Sequence, residues 1–270
     1  MNSWSSYPSI YNLGHRAVTD LLNYPHVVEE KVDGSQFSFG LFDADDANVV
    51  LPQDESHMRS VVELRVRSKG AVMNPDAPEK MFNKAVETVR AIQDRLHVGW
   101  TYRCEYLAKP KHNTLAYDRV PRLHLIGFDV STDDGEFLGP VEKADEFDRL
   151  GLESVATLWH SRWAEEPVTL ERLRTILDTT QSVLGGQLIE GVVIKPLVPL
   201  YGLDKKLLLG KFVSERFKES HKLAWRETSP NTGDIIQKLI AAHNTPARYQ
   251  KAIQHLRERA ELTDSPKDIG

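Results

Sequence analysis

The feature that most limits what this chain can fold into is the uneven spacing of its strand-like runs. Such runs occupy 26–43 (two of them, flanking Asp33-Gly34), 61–68, 100–107, 123–130, 188–195 and 206–213. Phe37, Phe39 and Leu41 alternate onto one face of the first pair, and Glu63, Arg65 and Arg67 make one face of the next run polar. Helical periodicity falls at 79–96, where Met81, Ala85, Val89, Ile92 and Leu96 recur three and four apart, and again at 142–150 and 169–180. A wound parallel sheet needs a helix after nearly every strand. This order has adjoining strands and long gaps instead, and it predicts an α+β fold of antiparallel sheets with flanking helices.

The pattern changes after residue 228. Ser229-Pro230-Asn231-Thr232-Gly233 reads as a loop, and 234–243 and 246–261 read as amphipathic helices. The expected organisation is one domain over 1–228 and a small helical C-terminal appendage over 229–270. Asp264-Ser265-Pro266 resembles the opening of another helix, so the natural chain is expected to continue past Gly270.

Composition narrows the class. The N-terminus lacks a basic segment followed by an apolar one, and no stretch approaches the ~20 apolar residues of a membrane helix, so neither a signal peptide nor a membrane is expected. A single cysteine, Cys104, excludes an internal disulfide framework and a multi-cysteine zinc site, and cytoplasmic is the simplest location. The net charge of −5 argues against a surface coated in basic residues. Between Lys205 and Arg226, however, seven basic residues stand against Glu215 and Glu219, enough to attract phosphates locally unless the run is only a solvated face.

Two runs carry chemistry. In Glu30-Lys31-Val32-Asp33-Gly34-Ser35 a lysine sits where one strand turns into the next. Its amine could attack a phosphorus only when deprotonated, which calls for desolvation or cationic neighbours. Asp-Gly between strand-like runs is equally a plain hairpin signal. In the second run, Glu190 and Lys195 lie among Ile189, Val192, Val193 and Ile194, where charges are costly without partners. Five residues apart, the two would point to opposite faces of an ideal strand. Bringing both to one site needs a bulge near Gly191 or the lysine's reach.

Lys31-Val32-Asp33-Gly34 resembles the first motif of the covalent nucleotidyltransferase superfamily of DNA ligases, RNA ligases and mRNA capping enzymes, and resemblances to later motifs follow in order. They are Arg67-Ser68-Lys69-Gly70, Arg103-Cys104-Glu105-Tyr106, Ile126-Gly127-Phe128-Asp129-Val130, Glu190-Gly191-Val192-Val193-Ile194-Lys195 and Leu208-Leu209-Gly210-Lys211-Phe212. The resemblance spans about residues 25 to 220. DNA ligases and capping enzymes usually continue into an OB-fold, whereas fewer than 50 residues follow Trp225 here and read as helices. That tail is similar to the RNA ligase 2-like family.

The resemblance implies an ATP-dependent ligase that joins RNA ends, nicked duplex RNA first among them, in RNA repair. Lys31 would carry AMP and then pass it to a 5′-phosphate. Glu190 would help hold Mg²⁺ or Mn²⁺, and Lys195 and Lys211 would contact phosphate, their charges lowering the Lys31 pKa towards neutrality. Glu30 (through its backbone), Asp33 and Gly34 would border the nucleotide. Glu105 would bind ribose unless it forms a surface ion pair, and Phe128 would stack on adenine unless it is a core residue. Lys69 or Arg67 would contact ribose or the RNA end. Lys109 to Thr114 reads as a basic polar loop, near the substrate or simply on the surface. Val213 departs from the family's usual Lys-x-Lys, leaving Lys211 alone or handing part of its role to a neighbour such as Lys206. The rivals are a DNA ligase adenylyltransferase domain and a non-catalytic nucleotide- or RNA-binding protein on the same scaffold.

Overall fold

Adjoining strands without intervening helices build sheets by antiparallel pairing, and that is what this chain does. The computed structural model describes Trp4 and residues 6–44, 62–161, 168–202 and 207–219. The chain divides into two compact units, Met1–Lys218 and Glu219–Gly270. The helices read at 234–243 and 246–261 lie outside the described residues, as do Lys205, Lys206, Lys222 and Arg226 of the basic stretch.

The described strands begin with β1 (Tyr11–Asn12), β2 (His26–Lys31), β3 (Ser35–Asp43), β4 (Val62–Ser68), β5 (Val72–Met73) and β6 (Thr101–Tyr106). They continue with β7 (Leu125–Ser131), β8 (Glu153–Ser154), β9 (Thr157–His160), β10 (Gly191–Pro196) and β11 (Gly210–Val213). The α-helices are α1 (Asn83–Ile92), α2 (Pro140–Leu150) and α3 (Leu170–Thr179). Strands assemble in the orders β1-β11-β10-β2-β9 and β5-β4-β3-β6-β7-β8. Apart from the parallel edge pairs β1–β11 and β7–β8, every pairing is antiparallel. Among the described residues no helix is long and apolar enough to cross a membrane.

β2 and β3 do not pair with each other, so Asp33-Gly34 forms no hairpin. The turn carries the chain from one sheet to the other. The reason lies outside the turn: the Asp33 carboxylate is taken by the backbone N–H groups of Thr114 and Leu115, each at 2.8 Å. Gly34 is held so near β6 that a Cβ would lie 3.0 Å from the carbonyl oxygen of Tyr106.

Each sheet is hydrophobic on one face and covered there by helices. Phe37, Phe39, Tyr102 and Cys104 pack with Val86 and Val89 of α1 and Phe147 of α2. Val28, Val192 and Ile194 pack with Leu173, Ile176 and Leu177 of α3. The predicted helix at 79–96 is real but composite, with single 3-10 turns at Lys80–Phe82 and Gln93–Arg95 flanking α1.

Where α2 crosses β7 the backbone at Gly127 lies against Phe147, and a Cβ there would overlap the ring. Both residues sit in a close-packed core with no room to yield. Gly127→Ala is therefore expected to lower the unfolding free energy by about 1–3 kcal/mol in chemical denaturation. An unchanged midpoint would mean the helix can shift freely.

Candidate active site

The uncovered faces of the two sheets border a common cleft of about 460 Å³, lined by Lys31, Glu29 and Val193 of the first sheet and Gln36, Glu105 and Phe128 of the second. Strand alternation decides which side chains arrive there. On β2, Val27, Glu29 and Lys31 share a face, and the ladder sets Lys31 opposite Gly191, Glu29 opposite Val193 and Val27 opposite Lys195. The next ladder sets Gly191 opposite Val213 and Val193 opposite Lys211. Lys211 and Val213 thus belong to the same face, and Val213 stands in the row of Lys31.

This register resolves the parity problem between Glu190 and Lys195. The β10 ladder runs from Gly191 to Pro196 without a register shift, so there is no bulge. Glu190 precedes the strand, where the chain bends, and alternation does not bind it. Its carboxylate meets the Lys31 Nζ at 2.7 Å through Oε1 and 2.9 Å through Oε2.

The electrostatics around Lys31 run opposite to the sequence expectation. Burial alone would lower its pKa, but Glu190, then Glu105 and Asp33, more than reverse this and hold it above the ordinary lysine value. In the ligand-free protein Lys31 is therefore a paired ammonium. Positive neighbours do exist. Lys211 is lowered first by burial and then by repulsion from Lys31 and Lys69, with Glu190 opposing. Neither the Lys211 nor the Lys69 side chain has an ion pair or hydrogen bond among the described residues.

Glu105 is no surface ion pair. Burial, with Lys31 pulling the other way, pushes its pKa to about 8, so at neutral pH it is mainly the protonated acid. Its Oε2 is buried with no hydrogen-bond partner, an unmet polar group inside the cleft.

Lys195 goes elsewhere. Its ammonium is 2.8 Å from Glu29 and 3.0 Å from Asp129, and it donates to the Phe128 carbonyl at 2.6 Å. Two carboxylates and a carbonyl thus surround the ammonium. The structure brings Lys31, Glu190, Glu105, Asp33, Lys211 and Lys69 towards one end of the cleft and places Lys195 and Phe128 towards the other. Phe128 is the extra residue of a β-bulge, since Arg103 pairs with Asp129 while Cys104 pairs with Gly127. The bulge exposes the Phe128 ring to the cleft and its carbonyl to both Lys195 and Lys143, the latter at 3.1 Å.

Several participants escaped the sequence reading. Glu29 also pairs with Lys143 of α2, and the Tyr7 hydroxyl donates to Asp129 while its ring stands edge-on to Phe128 at 5.1 Å. Glu29 was findable, because it breaks an apolar strand just as Glu190 and Lys195 do. Lys143 and Tyr7 carry no such local signal. The Glu30 side chain turns away from Lys31 to Ser182 and the Val183 N–H, leaving its backbone at the cleft. Arg67 lies over the ring of Trp4 at 5.9 Å.

Comparison with known proteins bears on this arrangement. Naegleria gruberi RNA ligase with PPi is similar with a TM-score of 0.56 and 16% identity, covering 82% of this chain and 59% of that one. A mutant of that ligase with ATP and Mn gives a TM-score of 0.52 and 16% identity, covering 82% and 60%. The chain thus spans about three fifths of the length of these structures, and at such identity the likeness speaks for the fold. No curated protein matches. A family model described as RNA ligase matches residues 25–213, the stretch that supplies every strand but β1 and carries Lys31, Glu105, Glu190 and Lys211, and on that match this chain belongs to the RNA ligase family.

Proposed function

We propose that this chain activates polynucleotide ends with ATP, using Lys31 as the nucleotide carrier. The observation that supports this best is the Lys31–Glu190 contact in the cleft, flanked by Lys211 and Lys69, which have no counter-ion among the described residues. Two lysines without an ion pair beside the paired Lys31 suit a polyphosphate. A pure binding protein has no need of a nucleophile, the role proposed for Lys31.

In the first step the Lys31 amine attacks the α-phosphorus of ATP. The N–P bond forms, the P–O bond to pyrophosphate breaks, and the amine keeps AMP. The ammonium proton must leave first, and Glu190 is in contact to take it. Lys211 faces the developing charge, with Lys69 beside it. AMP then passes to a 5′-phosphate, and a 3′-hydroxyl displaces it to form the phosphodiester. Two of the similar N. gruberi RNA ligase structures are with ATP and Mn. For a divalent ion such as Mg²⁺ or Mn²⁺ the residues fit a transient site: the Glu190 carboxylate would supply one ligand, with no cluster of three ligating side chains among the described residues. Such an ion, held partly by phosphates, would neutralise charge on the reacting phosphorus.

At the far end, Phe128, Val193 and the Tyr7 edge offer apolar walls for adenine, and Lys195 supports the bulge behind them. Glu105, protonated, can donate to a ribose hydroxyl. The proposed substrate is RNA with 5′-phosphate and 3′-hydroxyl ends, nicked duplex first, in a cytoplasmic repair role. The proposed division is a catalytic domain over 1–228 with the helical appendage after it.

Incubation with α-labelled ATP and a divalent metal should label the wild-type chain with AMP, and Lys31→Ala should abolish the label while leaving the circular dichroism spectrum unchanged. Labelling that survives removes Lys31 from its role. A second test uses Glu105. Its folded pKa of about 8 lies above the ordinary value near 4.5, so the folded form holds a proton that the unfolded chain loses. That contribution to stability is complete below about pH 4.5 and is lost as pH rises through 8. Relative to Glu105→Gln, the wild type should lose about 2–4 kcal/mol of unfolding free energy across this window. Parallel pH curves for the two proteins would show that Glu105 is ionised throughout.

A further inference from the structure

We propose that the loop between β6 and β7 is a grip for the polynucleotide strand, with Lys109 and Lys111 on its phosphodiester backbone beside the end being joined. This rests on the reading of Lys31 as the nucleotide carrier and extends it to the second substrate.

Topology fixes where the loop lies. β4 and β6 both run antiparallel to β3, with Ser68 opposite Phe37 and Tyr106 opposite Ser35. Both strands therefore end where β3 begins, at the turn that follows Lys31. Lys69 leaves the sheet from one of these ends and the loop bearing Lys109 and Lys111 from the other, so the lysines flank that turn.

The loop is also tied to the turn atom by atom. Thr114 and Leu115 donate to the Asp33 carboxylate, Asn113 Nδ2 donates to the Gly34 carbonyl at 2.7 Å, and the Asp33 N–H donates to the Tyr117 hydroxyl at 2.8 Å. His112 accepts the Ala108 N–H on Nδ1 at 3.1 Å, which leaves Nε2 to donate to the Ser35 hydroxyl at 2.9 Å. Five residues of the loop thus hold Asp33, Gly34 and Ser35.

The two lysines of this loop have no ion-pair partner among the described residues. Residues 107–117 contain no acid. The Asp33 carboxylate is occupied by two N–H groups, and Asp118 lies over the Gly185-Gly186 turn. Lys109 and Lys111 are exposed, and neither side chain has an ion pair or hydrogen bond among the described residues. On a chain of net charge −5 this is a local positive rim at the mouth of a cleft built for phosphate chemistry. A regularly spaced polyanion, the backbone of a nucleic acid strand, is the partner such a rim fits.

The test uses the full chain and a nicked RNA duplex carrying a 5′-phosphate. Binding is measured across a range of salt concentrations for the wild type, Lys111→Gln and the double variant Lys109→Gln/Lys111→Gln. The slope of log affinity against log salt should flatten by about one for the single and about two for the double variant. The double variant should bind at least about tenfold more weakly at low salt and seal correspondingly less. AMP labelling of Lys31 should be unchanged in both, which also shows that the variants are folded. Unchanged slopes, or a wild type that does not bind the duplex, would overturn the proposal, as would a loss of labelling, which would move the lysines to ATP. A wild type that binds with the expected slope but takes no label from ATP would overturn the carrier reading and leave only a nucleic-acid surface.

Discussion

A half-buried amine keeps its charge most readily against a carboxylate, and the rest of this site is arranged around that pairing. Lys31 makes it with Glu190, 159 residues away in sequence. The contact exists because β2 and β10 are hydrogen-bonded neighbours, with Lys31 in register with Gly191. Glu190 reaches it because the chain bends just before the strand begins. The same proximity favours the protonated amine, since carboxylates surround it. On the proposed reading, substrate would have to change that balance before the amine reacts.

A second buried charge group lies behind the first. Lys195 and Lys143 stand against Glu29 and Asp129, with the Phe128 carbonyl accepting from both lysines. Arg103 adds a third buried cation facing Asp129, and the bulge supplies a carbonyl acceptor for Lys195. Taking away one member would strand a buried charge, which costs far more than an exposed pair is worth. Tyr7 joins from a segment that precedes the stretch matched by the family model, so the N-terminal residues belong to this wall as well.

Much of this architecture was legible in the sequence, and its limits are physical. The strand runs and three helical patterns emerged with ends shifted by a few residues, because alternation and 3.6-residue periodicity are local. Short edge strands such as β8 and β9 were not visible, since two to four residues carry too little pattern. Asp33-Gly34 looked like a hairpin because the signal is local, while the outcome depends on N–H groups some 80 residues further on. Glu190 and Lys195 stood out as charges in an apolar run. That they serve opposite ends of the cleft depends on register, which no single run encodes. The Phe128 bulge and the partnership of Lys143 with Glu29 are likewise products of assembly. The pKa direction at Lys31 was misjudged for the same reason: the sequence shows which cations exist, but the acids beside the amine come from β6, from the bend before β10 and from the turn itself.

The passage of the chain between sheets just after Lys31 has a consequence for how the molecule comes apart. Among the described residues each sheet has its own hydrophobic core, one beneath α1 and α2 and the other beneath α3, and a small third cluster around Val32, Leu107 and Ile126 lies apart from both. On the proposed reading, a nucleotide touching Lys31 and Val193 on one side and Glu105 and Phe128 on the other would bind only when both halves are intact. It would act as a rivet, adding its binding free energy to the penalty for opening either half alone. Two cores that could loosen separately would then melt as one cooperative unit.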